Sequence, residues 1–275
     1  MAFYEKLMGL DRRWVYLCVG IAVLIPFFIP FDVPVYTTPE VKAVYDFMES
    51  LKEGDVLFLA IDYDPNAMAE LHPTATVMMR QAFSKNVKLV ISALSQNGPG
   101  MAEQLIAQIS KEYGKKSGVD YCYLGYKPYP GIVILAMGQN FRIPFPSDYY
   151  GVPLDSLPMM KNIKNYDDVK AVIDVTGTNA IDYWLVNGNA RYKVKLAAAV
   201  TGVMAADYYP YLQSGQLFGL LSGLKGASEY EVLANQKGFA FSGMRIQTVA
   251  HIVVTLFIVI GNIGFFMARA GKRRS

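Results

Sequence analysis

Two long apolar runs frame the chain, and short apolar runs alternate with amphipathic ones between them. Trp14 to Phe31 carries no charge, and neither does Ile246 to Met267. Each run is long enough to cross a hydrocarbon layer of about 30 Å at roughly 1.5 Å per helical residue. Between them, DVLFLAID (Asp55–Asp62), VKLVISAL (Val87–Leu94), Tyr121–Gly125, GIVILAM (Gly131–Met137), VKAVIDV (Val169–Val175) and YKVKLAAAV (Tyr192–Val200) read as short strands. Helices are expected at Val41–Leu51, Asn66–Phe83, Gly100–Tyr113 and Asn179–Val186, with Pro73 breaking or kinking the second. Thr38-Pro39-Glu40 is a helix-start signature. Nearly continuous apolar strands alternating with helices describe a mostly parallel sheet covered on both faces. The fold class expected is α/β, Rossmann-like or flavodoxin-like, flanked by two transmembrane helices.

Charge orients this arrangement. Arg12 and Arg13 precede the first run, and Arg269, Lys272, Arg273 and Arg274 follow the second. The positive-inside bias then places both termini in the cytoplasm. The organisation is a cytoplasmic segment 1–13, a span 14–31, an extracytoplasmic domain 32–245, a second span 246–268 and a basic tail 269–275. No small-x-small cleavage site follows the first run, which separates it from a signal peptide. In the second run, Gly261 and Gly264 are small and Asn262 is polar, a combination that lets helices approach closely. Hydrophobic residues make up 53% of the 275 residues and charged ones 18%, in keeping with a membrane protein. A net charge of +3 gives no electrostatic case for nucleic acid. Two cysteines in unrelated settings argue against a disulfide, and two histidines without a Cys/His cluster argue against zinc. No cofactor is expected.

In open α/β sheets, ligands bind beyond the carboxyl ends of the strands. The expected strand ends gather short hydroxyls, amides and glycines: Ser95, Asn97, Gly98 and Gly100 after the second, Gly138-Gln139-Asn140 after the fourth, Thr176, Gly177 and Thr178 after the fifth. These are candidate ligand-binding residues. The stretch SQNGPG ahead of a helix resembles an anion-cradling turn, although it matches neither nucleotide-binding fingerprint. Asp62 and Asp64 share a face of an extended segment and are candidate ligands for a hard cation.

The stretch SGQLFGLLSGLKGASEYE (Ser214–Glu231) is the most unusual in composition. Read as one helix, it places Gly215, Gly219, Gly223 and Gly226 on one side and leucines on the other. Helical glycine costs about 1 kcal/mol relative to alanine, so such a face requires close packing against a partner. A second candidate contact surface is the Pro-, Tyr- and Met-rich segment 140–164, too long for a simple connector. The leading functional reading is a membrane-anchored, non-catalytic subunit whose domain mediates assembly. Its partners would be the lipid bilayer and either further copies or other membrane subunits, with no nucleic acid. The alternative is a receptor binding a small molecule at the strand ends, and the third is a metal-assisted hydrolase centred on Asp62 and Asp64.

Overall fold

The computed structural model describes residues 11–272 apart from Pro30 and Asp32. Segments 1–10 and 273–275, including Arg273 and Arg274, lie outside the described residues. The chain divides into two units, 35–241 and the paired ends 1–34 with 242–275.

Unit 35–241 is built on a six-stranded, all-parallel sheet in the order β3-β2-β1-β4-β5-β6. The strands are β1 (Val56–Asp62), β2 (Lys88–Ser92), β3 (Tyr121–Gly125), β4 (Val172–Thr176), β5 (Leu196–Val200) and β6 (Leu217–Ser222). Every residue of β1 is buried, as is every residue of β3, β4 and β5, because helices cover both faces. One face carries Leu57, Leu59, Ile61, Ile91 and Ile173. Against it lie α2 (Pro39–Ser50), α3 (Met68–Ser84) and α4 (Pro99–Glu112). The other face carries Phe58, Ala60, Val90 and Val172. It is covered by α5 (Pro130–Gln139), by α6 (Ala180–Tyr183) with its π-helical continuation Trp184–Ala190, and by α7 (Ala205–Gln213). Segment 140–164 folds onto this second core, burying Phe141, Phe145, Leu154, Met159 and Met160.

Three expectations are corrected. GIVILAM forms helix α5 rather than a strand, so Gly138-Gln139-Asn140 is a helix end. Pro130 in the first turn starts the helix, and one unbroken apolar run suits a buried helix as well as a strand. Pro73 does not end α3: at the helix's sixth position it forgoes a single backbone bond and the helix runs on to Ser84. The stretch Ser214–Glu231 is not one helix. Gly215 and Gly223 take positive φ (76° and 50°), and between them β6 pairs with β5 before α8 (Gly223–Leu233) begins. The glycine face therefore does not exist as a continuous surface. Gly219 instead admits α2, since a Cβ there would stand 2.2 Å from Val44 Cγ2 and 2.9 Å from the Glu40 carbonyl oxygen. Gly223 meets Glu70 and Gly202, and Gly226 meets Leu221. A Cβ on Gly215 would meet no atom within 4 Å, as befits a turn.

Two buried glutamates of α8 hold the segments by which the chain enters and leaves this unit. Glu229 accepts hydrogen bonds from Thr38 N (2.7 Å) and Thr38 Oγ1 (2.8 Å), and pairs with Lys225. Thr38 thus receives its cap partner from α8 instead of capping α2 with its own hydroxyl. Glu231 accepts from Gly238 N (2.8 Å), Ala240 N (3.1 Å) and Phe241 N (2.8 Å). These N–H groups lie at the start of the long helix α9 (Phe239–Lys272), where a carboxylate is favoured by both hydrogen bonding and the helix dipole.

In the other unit, α1 (Arg12–Phe28) has 17 residues, fewer than the roughly 20 that an untilted span uses. Among the described residues one helical stretch, Phe239–Met267, is long and apolar enough to cross a membrane. Within this unit α1 and α9 together line an apolar groove of about 540 Å³ through Val15, Tyr16, Val19, Phe257, Ile258 and Gly261. Gly261 is exposed on it and Gly264 is buried.

The close approach of α2 to β6 gives a direct test. Gly219→Ala forces a methyl into Val44 and a backbone carbonyl, and overpacking of this kind costs about 1–3 kcal/mol. Thermal unfolding of the full chain is expected to shift down by roughly 5–10 °C. An unchanged melting temperature would contradict the packing described.

Candidate functional site

The strand order reverses between β1 and β4, which is where a sheet of this topology opens a ligand crevice at its carboxyl edge. At that edge several of the chain's own residues bond one another. Thr176 Oγ1 donates to the Asp62 carbonyl oxygen (3.0 Å), and Thr178 N donates back to Thr176 Oγ1 (3.1 Å). Gly177 lies against the turn at Pro65–Ala67, since a Cβ on it would come within 2.7 Å of Ala67 Cβ. Gly98 packs over β1, with its Cβ position 3.1 Å from the Ile61 carbonyl oxygen. Ser95 is buried and donates to Asp64. Asn97 and Gly100 are exposed on the rim of α4. Of the ligand-binding candidates, Thr176 and Thr178 bond each other and the Asp62 carbonyl oxygen, and Ser95 bonds Asp64.

Asp62 and Asp64 each have a partner in the segment after β2. Asp62 Oδ1 accepts from Leu94 N (2.5 Å) and Asp64 Oδ1 from the Ser95 hydroxyl, so both fasten the β2–α4 turn. Among the described residues no group of three or more His, Cys, Asp or Glu is gathered as a metal site would require. Asp62 instead shares its sheet face with Asp174 of β4, a residue that sequence reading passed over inside an apolar strand. Both side chains are fully buried. Ala60 pairs with Ser92 on one side and Asp174 on the other, so only a methyl separates those two positions on the sheet. Asp62 Oδ2, both Asp174 carboxyl oxygens, Ser92 Oγ and Trp184 Nε1 are buried without a hydrogen-bond partner among the described residues. Burial pushes the Asp62 carboxyl up to about 7. Burial first, and then the charge of Asp62, push Asp174 well above the usual carboxylate range. Burial of both groups favours the protonated form over two negative charges.

The surface feature that stands out lies where α5 meets α6 and its π-helical continuation. Tyr129, Ile132 and Val186 are 73%, 68% and 64% exposed, and Tyr183 is exposed beside them. Gly131 brings the two elements together, its Cβ position lying 3.1 Å from Tyr183 Cδ1 and 3.0 Å from Asn187 Nδ2. Tyr129 has a left-handed backbone (φ 63°), a conformation that costs energy for a side chain of its size and holds the ring outward at the start of α5. A π-helical segment is likewise an uncommon device found often at functional positions. An apolar, tyrosine-bearing patch on such a frame suits contact with another protein. The composition of the segment around Tyr129 contains this signal, but a strand reading of Gly131–Met137 conceals which residues face out.

The acid pair yields a pH prediction. Its folded-state affinities for protons exceed the unfolded values, so its contribution to stability falls as pH rises from about 4 through 7. Half-buried His72 is lowered by burial and acts with the opposite sign. The comparison that isolates the pair is thus wild type against Asp174→Asn. Between pH 5 and pH 8 the wild type is expected to lose more stability than the variant, in which Asp62 alone still titrates. Parallel pH profiles of melting temperature for the two proteins would contradict a raised proton affinity at Asp174. Compared with known protein families, curated proteins and solved structures, the chain finds no match.

Proposed function

We propose that the chain is a membrane-anchored assembly subunit whose α/β unit docks another subunit of the same complex through the patch at α5 and α6. The observation that carries this reading is the exposure of Tyr129, Ile132, Tyr183 and Val186 on one framed surface. In the proposed topology, 14–31 and 246–268 both span the bilayer, with both termini cytoplasmic and residues 32–245 extracytoplasmic. The basic residues flanking both apolar runs support that orientation. The self-bonded strand-end residues give the small-molecule receptor reading less support. The separate partners of Asp62 and Asp64 do the same for the metal-assisted hydrolase.

The test is the mass of the full chain's complex in mild detergent, for wild type and for Ile132→Asp combined with Val186→Asp. Charged groups at exposed positions leave folding intact, so the variant's melting temperature is expected within about 2 °C of wild type. Its complex is expected to fall to the mass of the single chain in detergent. A wild-type mass that already equals one chain, or a variant complex of unchanged mass, would remove the reading.

A further inference from the structure

α5 runs parallel to α6 and its π-helical continuation on the sheet face that carries Phe58. Gly131 lies against Tyr183, Gly188 against Ile134 and Gly138 against Tyr192, so the two elements keep step from end to end. Neither PGIVILAMGQ of α5 nor WLVNGNA of the π-helical segment contains a charged residue. By contrast, α2, α3 and α4 on the other face each carry charges. The exposed strip of Tyr129, Ile132, Tyr183 and Val186 therefore lies on a frame with no charge along its centre.

The charges nearest the strip stand on its two margins and differ in sign. Lys127 precedes α5 on the side of segment 140–164, where it lines a small pocket with Phe145 and Tyr149. It is exposed and makes no ion pair among the described residues. On the other margin Asp182 turns toward α7, where it accepts a hydrogen bond from the Tyr208 hydroxyl (3.1 Å). Exposed Asp207 adds a second acid there, in the first turn of α7.

An apolar strip with a cation on one margin and acids on the other is complementary to itself. A two-fold axis along the strip, between the two elements, lays α5 of one copy on α6 and the π-helical segment of the other. The same rotation carries each Lys127 to the acidic margin of the opposite copy. Arg191, exposed beyond the π-helical segment, then comes over the uncharged end of the partner's α5. The strip supplies the apolar contact, and the margins select the partner and its register.

Given the docking proposed above, on which this rests, we infer that the partner at α5 and α6 is a second copy of this chain. The two form a two-fold dimer in which Lys127 of each faces Asp182 and Asp207 of the other.

The experiment co-expresses two differently tagged copies of the full chain, purifies one tag in mild detergent and quantifies the second tag recovered. Wild type is expected to recover its copy. Lys127→Asp on both copies sets acid against acid, and Asp182→Lys on both sets lysine against lysine. Each is expected to lower recovery on the order of tenfold. Lys127→Asp on one copy with Asp182→Lys on the other places opposite charges at both contacts, and recovery is expected to return to the wild-type level. Both positions are exposed, so melting temperatures are expected within about 2 °C of wild type. Should Asp182→Lys melt lower through loss of the Tyr208 bond, Asp207→Lys on the same margin takes its place. Recovery that the single variants leave unaltered, or that the mixed pair fails to restore, would overturn the inference. A wild-type complex heavier than one chain that contains no second tag would also overturn it, while leaving docking of a different subunit at the strip. A wild-type mass of one chain removes the docking itself.

Discussion

Two carboxylates on α8 determine where the α/β unit begins and ends. Glu229 holds Thr38 ahead of α2, and Glu231 holds the three amides that open α9. Residues two apart on a helix point about 200° away from each other, so one helix serves both segments without their competing. Hydrogen bonds to a charged group contribute roughly 1.5–3 kcal/mol each, and an abandoned buried carboxylate would cost more. Between the two glutamates, Tyr230 is fully buried and donates to Gln81 of α3, which anchors α8 to the helical layer. Loss of either glutamate would leave buried backbone N–H groups unpaired at a chain junction. The unit is thus fastened to both of its flanking segments from within its own core.

That fastening depends in turn on small residues in the sheet. α8 can return over β6 because Gly223 and Gly226 have no side chain at their contacts with Gly202, Glu70 and Leu221. α2 approaches the β6 backbone closely at Gly219, which has no side chain to hold it off. At the carboxyl edge the same economy of space has a different effect. Thr176, Gly177, Gly98 and Ser95 pack around the end of β1, and Asp62 and Asp174 are buried there. The exposed apolar residues of α5 and α6 form a surface of different character, suited to contact with another protein.

The parallel α/β class was legible because burial on both faces leaves nearly continuous apolar strands, as in VLFLAID and LAAAV. Failures arose where one pattern serves two structures. GIVILAM is equally apolar as strand or buried helix, and only Pro130 in the first turn decides it. In SGQLFGLLSGLKGASEYE the spacing of glycines imitates a helical face, whereas the positive φ of Gly215 and Gly223 is invisible in spacing. Thr38 was read correctly as a helix-start residue, but its partner lies 191 residues away and no local motif could supply it. Asp174 was missed for a similar reason. A lone acid in an apolar strand gains meaning only when the strand order sets it beside β1.

The docking proposed for the α/β unit runs through α5 and α6. Site-specific photocrosslinking in native membranes tests it most directly, with p-benzoylphenylalanine placed at Ile132 and, as a control, at exposed Glu53 on the opposite end of the sheet. The account predicts a discrete higher-mass adduct on irradiation from position 132 and none from position 53. Only the single chain from position 132, or equal adducts from both positions, would contradict it.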